Sequence, residues 1–203
     1  MDKILIINGS PKQNGNTALA IEEFIKASVT NCEVLQVGHL QLQSCKACGA
    51  CRKLGKCAFD DVVNEAAVKL DYSDALIVAS PVHFASASGA ITAFMDRLFY
   101  SSGFDKRYKI GAAIAVARRG GITSTFDQLN KYFTISGMPI ASGQYWNGVH
   151  GAAPGEASQD LEGLQQIRTL AQNVDFLIKS IKLGLDKYGM PQKEDGIHTN
   201  FVR

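Results

Sequence analysis

The stretch Ile4-Leu5-Ile6-Ile7-Asn8-Gly9-Ser10-Pro11-Lys12-Gln13-Asn14-Gly15-Asn16-Thr17 decides how the rest of the chain is read. Four consecutive apolar residues make a strand buried on both faces; the run stops at Asn8, and a short polar loop hands over to a helix beginning at Asn16 or Thr17. A helix start leaves its first backbone N–H groups without intrahelical partners and carries the positive end of the dipole, so such a loop is a natural anion site. Ser10, Asn16 and Thr17 add side-chain donors, and Lys12 lies in the same loop. An ordinary strand-to-helix turn capped by Asn16 would use the same residue types, and the local sequence leaves both readings open.

Two familiar phosphate loops are excluded by residue type. A Walker loop needs Lys immediately before Ser or Thr at the helix start, whereas here Asn16 precedes Thr17. A dinucleotide fingerprint needs G-x-G-x-x-G and an acidic residue at the end of the next strand, but that strand ends Gln36-Val37-Gly38-His39. What remains is a loop of hydroxyl and amide donors suited to one terminal phosphate, which favours a mononucleotide such as FMN over ATP or NAD.

Working outward, 203 residues with 46% apolar and 20% charged content are the size of one domain with a sizeable core. A net charge of +2 without a Lys or Arg run gives no footprint for nucleic acid or an anionic membrane. Met1-Asp2-Lys3 leads straight into the first strand without a signal-peptide layout, and no segment is apolar and long enough to span a bilayer. A cytoplasmic protein is therefore expected. In that setting five cysteines, four of them crowded together, suggest metal or redox chemistry before disulfides.

Short apolar runs alternate with longer helical patterns, the signature of a parallel sheet covered by helices on both faces. The runs are 4–7, 32–37, 75–79, 110–117 and 139–145; the helical patterns are 17–28, 62–70, 89–99, 123–135 and 159–183. Such α/β sheets bind ligands beyond the carboxyl ends of their strands. The residues there are Gly9 to Thr17, then Ser80, Pro81, Val82, His83 and Phe84, then Arg118, Arg119, Gly120 and Gly121, then Trp146 and Asn147. Glycines and aromatics at these ends suit close passage of the backbone by a flat ligand. The segment 147–158 reads as a lid or an oligomer contact, and Cys32 as a core residue of the second strand.

The segment 38–61 replaces a short connection and carries Cys45, Cys48, Cys51 and Cys57 at the spacing C-x2-C-x2-C-x5-C. Three thiolates at that pitch can meet one face of a cubane and the fourth completes the ligand set. Zinc can also take four thiolates, although its sites more often pair two separated C-x-x-C units, and free redox-active thiols are a third reading.

With the Gly9-Ser10-Pro11 to Gly15-Asn16-Thr17 loop, the cysteine run ending in Asp60-Asp61, Ser80-Pro81-Val82-His83-Phe84 followed by Asp96-Arg97, and Arg119-Gly120-Gly121, the chain resembles the flavodoxin-like NAD(P)H-dependent FMN reductases, in the branch of the iron-sulfur flavoproteins. Asp160 to Leu164, opening the last helix, adds a weaker likeness. The resemblance implies a three-layer, doubly wound, five-stranded parallel sheet of order 2-1-3-4-5 over residues 1–183; the tail 184–203, polar and with little periodicity, reads as a loosely structured extension or a partner-wrapping arm. It implies that Ser10, Lys12, Asn16 and Thr17 bind the FMN phosphate and that Pro81, Val82, His83 and Phe84 line the ring, His83 standing where the family usually has Tyr. Arg119, Gly120 and Gly121 would approach the flavin, and Cys45, Cys48, Cys51 and Cys57 would hold a [4Fe-4S] cluster. Asp96-Arg97 reads as a structural ion pair or interface element, and Trp146 as a flavin cover or a subunit anchor.

The activity implied is electron transfer from NADH or NADPH through FMN to a quinone, flavin, metal or protein acceptor, in a homodimer or homotetramer. No acid–base catalytic residue is required, because the flavin carries the chemistry. The alternative is a flavodoxin-type electron carrier without small-molecule turnover; a zinc-binding or redox-sensing module is a third.

Overall fold

In a computed structural model of the chain, residues 2–197, 199 and 201 are described. Five parallel strands form the central sheet: β1 (Lys3–Asn8), β2 (Asn31–Gln36), β3 (Ala75–His83), β5 (Ile110–Ala117) and β6 (Gly148–His150), in the order β2-β1-β3-β5-β6. A two-residue strand β4 (Ser86–Ala87) folds back antiparallel on the end of β3. Leaving that hairpin aside, the parallel order is the expected flavodoxin-like 2-1-3-4-5.

The alternation along β1 shows how the layers form. Ile4 and Ile6 face α1 (Asn16–Ala27) and α6 (Leu161–Tyr188), whose Phe24, Ile167 and Leu170 share their cluster. Leu5 and Ile7 face the opposite layer, built from α3 (Val62–Asp71), α4 (Gly89–Ser101) and α5 (Ile122–Ile135) through Leu70, Phe94 and Phe133. Strands covered on both faces carry no polar side, which is why they read as continuous apolar runs. Among the described residues no helix is long and apolar enough to cross a membrane.

Three boundaries differ from the sequence reading. The expected fifth strand at 139–145 is not one: only Ile140 bridges to the sheet, opposite Gly111. Pro139 brings no N–H, and the buried Asn147 replaces ladder bonds, its Nδ2 donating to the Ala113 carbonyl (3.1 Å) and its Oδ1 accepting from Gly143 N (3.1 Å). The ladder resumes at Gly148, so Trp146 and Asn147 precede the edge strand instead of following it. The third strand runs on past residue 79 to His83, turning Ser80-Pro81-Val82-His83 from loop into strand end. The last helix starts at Leu161, two residues after the expected 159, with Asp160 capping it by accepting from Gly163 N (2.9 Å), and continues to Tyr188, past Leu183.

Candidate functional site

At the carboxyl end of β1 the loop is fixed by its own polar groups. Asn8 Oδ1 accepts from Ser10 N (2.9 Å), and Ser10 Oγ accepts from Lys12 N (3.1 Å). Neighbours hold the backbone in place: Ser88 Oγ donates to the Gly9 carbonyl (2.9 Å) and Gln36 Nε2 to that of Ser10 (3.1 Å). Gly38 lies so close that a Cβ there would come within 2.3 Å of the Gly9 oxygen, so this position needs glycine. Helix α1 then starts at Asn16 with Gly15 as its cap residue and no side-chain cap, leaving its first N–H groups open.

Those amides face a cavity of about 240 Å³ lined by Ser10, Lys12, Asn16 and Thr17 on one side and by Pro81, Val82 and His83 on another. Seven expected site residues therefore meet at one place. Their roles are not alike. The Asn16 side chain is engaged elsewhere, its Nδ2 donating to the Ala153 carbonyl (2.9 Å) and its Oδ1 accepting from Ala157 N (3.2 Å). Thr17, 2% exposed, holds its hydroxyl-bearing side chain at the buried start of α1.

The other four expected residues lie off the cavity wall. Phe84 and Ala85 form the two-residue turn between β3 and β4, both with positive φ (51° and 58°), and the Phe84 ring is wholly exposed at the tip. Gly121, at φ 92°, lets the β5–α5 turn press on that hairpin, since a Cβ there would lie 2.7 Å from Ala85 Cα. Gly120 is exposed in the same turn, and the Arg119 carbonyl sits 3.2 Å from His150 Nε2. Arg118, its neighbour, is the arginine on the wall.

The sequence reading missed the wall made by Val116, Gly151, Ala152 and Pro154. Its signal was the glycine and proline content of 147–158, read as a lid or an oligomer contact. After β6 the segment forms a tight turn over 152–156 closed by Glu156, whose carboxylate accepts from Ala152 N (2.7 Å) and Ala153 N (2.9 Å). Those two amides, with the nearby Arg118 charge, hold the Glu156 carboxyl below its ordinary range.

A second cavity, of about 260 Å³, is ringed by Cys45, Cys48, Cys51 and Cys57, with Phe59, Arg97 and Tyr100 completing the wall. All five cysteines of the chain are free thiols. Among the described residues no three Cys, His, Asp or Glu groups converge on a single metal position. The first three sulfurs belong to a loop with positive φ at Ala47 and Gly49 and to the single-turn helix α2 (Cys51–Leu54). Cys57 is bracketed by Asn64, which accepts from its N–H (2.9 Å) and donates to its carbonyl (3.1 Å).

Asp96 and Arg97 do not pair with each other. Asp96 accepts from the Tyr132 hydroxyl, while Arg97, 1% exposed, forms a two-pronged pair with Asp61 (2.7 and 2.9 Å) and donates to Cys57 Sγ from Nε and Nη2, both at 3.3 Å. Asp61 also caps α3, accepting from Val63 N (3.1 Å). Cys32 is half-buried at the edge of the α1–α6 cluster, and burial pushes its thiol up.

A strand-end cavity at the start of α1 in a doubly wound sheet, together with a four-thiol insertion, defines a class of flavodoxin-like protein. The chain belongs to the NADPH-dependent FMN reductase family, whose family model matches residues 3–153, and within it to the iron-sulfur flavoprotein branch. It is 33% identical over 191 residues to an iron-sulfur flavoprotein of Methanocaldococcus jannaschii, covering 89% of this chain and 99% of the relative. It is 29% identical over 192 residues to the iron-sulfur flavoprotein of Methanosarcina thermophila, covering 91% and 100%. The fold matches a flavodoxin from the domain Archaea at TM-score 0.57 and 16% identity, over 88% of this chain and 99% of that one. Membership makes the chain an FMN-dependent oxidoreductase or electron carrier.

Proposed function

We propose that the chain is a cytoplasmic NAD(P)H-dependent FMN oxidoreductase that passes electrons from NADH or NADPH to a quinone, flavin, metal or protein acceptor. The observation that carries this reading is the cavity at the uncapped start of α1. A phosphate dianion suits open helix amides, the Thr17 hydroxyl and the Lys12 ammonium, and such charge-assisted bonds are stronger than neutral ones. Residues 81–83 supply strand backbone for the polar edge of a ring, and Val82 and Val116 supply apolar surface. Arg118 is positioned to meet a negative charge developing near that wall. When bound, FMN supplies the redox chemistry, taking an electron pair from the nucleotide and releasing electrons singly or in pairs.

Cys45, Cys48, Cys51 and Cys57 would hold a [4Fe-4S] cluster. In a cubane each iron takes one thiolate, so the ligands surround a volume instead of a point, and a donor set of four thiols ringing a cavity of about 260 Å³ is of the kind that demand calls for. The cluster would supply single-electron transfer. Oligomeric assembly, as a homodimer or homotetramer, belongs to the same reading.

Anaerobic purification followed by an absorption spectrum and steady-state oxidation of NADH and NADPH with a quinone or ferric acceptor tests the whole. Flavin bands with turnover are expected. A flavin-loaded protein that oxidises neither nucleotide would leave the electron-carrier reading in its place.

A further inference from the structure

We propose that Arg97 is a positioning residue of the cysteine site that raises the reduction potential of the bound cluster through Cys57; this rests on the reading of those four cysteines as cluster ligands. The chemistry begins with burial. A guanidinium out of contact with water is costly unless each N–H finds an acceptor, and Arg97 meets that demand in full. Nη1 donates to Asp61 Oδ2 and to the Gln43 carbonyl (3.4 Å); Nη2 donates to Asp61 Oδ1, to Cys57 Sγ and to the Phe59 carbonyl (3.4 Å); Nε donates to Cys57 Sγ. Asp61 therefore occupies one edge of the fork and Cys57 the other.

That second edge is informative. A neutral thiol is a weak acceptor, and two N–H groups of a cation directed at one sulfur are suited to an anionic sulfur such as a metal-bound thiolate. The four cysteines differ in this respect. Cys45 and Cys48 are exposed, and Cys51 directs its Sγ at the Tyr100 carbonyl (3.6 Å), so among the described residues only Cys57 receives a guanidinium. The Phe59 ring lies over the guanidinium, 4.9 Å from Cζ, and keeps water from that side.

A fixed positive charge and N–H···S bonds stabilise the more negative, reduced cluster over the oxidised one, since reduction adds one electron and no bond at Arg97 forms or breaks. The electron comes from the nicotinamide nucleotide by way of FMN. Arg97 would thus bring the cluster within reach of a flavin donor. By tying residues 43, 57, 59 and 61 to α4 it also fixes the register of the fourth ligand.

The test compares the wild-type chain with Arg97→Gln, and with the double variant Arg97→Met, Asp61→Asn, which removes both charges together and so leaves neither buried alone. Each is reconstituted anaerobically with iron and sulfide, its iron and acid-labile sulfide are counted, and the cluster and FMN midpoints are read in one dye-mediated titration by EPR and absorption. The expected result is retained iron, a cluster midpoint shifted to more negative potential in both variants, an unshifted FMN midpoint, and partial return of the cluster midpoint in Arg97→Lys. Unshifted cluster midpoints in loaded variants would overturn the proposal. So would loss of iron from both variants, which would make Arg97 a residue needed only to build the site. A wild-type chain that takes up no iron and sulfide would instead refute the cluster reading itself.

Discussion

Thr17→Val isolates the anion site with little disturbance of the fold. The two side chains are both branched at Cβ and nearly equal in volume, so α1 keeps its packing while one hydroxyl is lost at a position 2% exposed on the cavity wall. A hydrogen bond to a charged group contributes about 1.5–3 kcal/mol, which is roughly a 10- to 150-fold increase in the FMN dissociation constant. The Asn16 amide is bound on both sides to the 153–157 turn, so Asn16→Ala acts by loosening that wall and Thr17→Val by removing a phosphate donor. Titrating flavin-free protein by quenching of flavin fluorescence gives the constant, and riboflavin, which has no phosphate, provides the control. Thr17→Val is expected to weaken FMN and leave riboflavin unchanged. An equal loss for both flavins, or no loss for FMN, would refute a phosphate at the start of α1.

Asp61→Asn leaves the buried Arg97 without its counter-charge, and breaking a buried pair from one side costs about 3–5 kcal/mol; urea unfolding of the flavin-loaded protein should register it, and a loss below about 1 kcal/mol would show the pair to be effectively solvated. Phe84→Asn is expected to raise stability by about 1 kcal/mol in the same assay, because Asn tolerates the positive φ that Phe84 adopts and the exposed ring buries no core surface. If Phe84 contacts the flavin ring, the same substitution weakens riboflavin binding, which the gain in unfolding stability would not mask. Four N–H contacts from Arg107 hold the Asp105 carboxyl down to about 2 from an ordinary 3.8. Its folded value lies below its unfolded one, so its contribution is present above about pH 4 and disappears as pH falls towards 2. Asp105 is half-exposed, so the gain is small; wild type minus Asp105→Asn in acid titrations of unfolding should show a difference that closes over that window.

The strands buried on both faces and the β1–α1 loop were legible because a doubly wound sheet writes them as unbroken apolar runs followed by polar turns. The edge strand was not: 139–145 starts as one, with backbone bonds between Gly111 and Pro139 and Ala141, but beyond Ala141 the Asn147 side chain takes the place of the ladder, a substitution of side chain for backbone that no periodicity reveals. Phe84 and Arg119 follow strand ends, but β3 runs on to His83, which carries Phe84 out to a hairpin tip, and of the two arginines after β5 it is Arg118 that lines the cavity. The partner of Arg97 was hidden for a different reason. Asp61 lies 36 residues away and only the packing of α4 against α3 brings the two together, so the adjacent Asp96 looked like the natural partner.

The two cavities have a common support in α4. At its start, the Ser88 hydroxyl donates to the Gly9 carbonyl and so fixes the first residue of the β1–α1 loop. Toward its end, Arg97, Tyr100 and Ser101 wall the four-thiol cavity. Nine residues separate Ser88 from Arg97, about 14 Å along a helix axis. The cysteine insertion is anchored at both ends of the same path, since Gly38 packs on the Gly9–Ser10 backbone where the insertion begins and Asp61 binds Arg97 where it ends. A helix with Ile91, Phe94, Met95 and Leu98 fully buried against the sheet moves as a rigid rod. A substitution that displaces α4 as a body should therefore disturb flavin binding and iron content together, whereas one confined to Arg97 should shift the cluster midpoint and spare iron content and flavin binding, and one confined to Thr17 should weaken FMN and spare the cluster. That separation is what allows the two sites to be tested independently in a single chain.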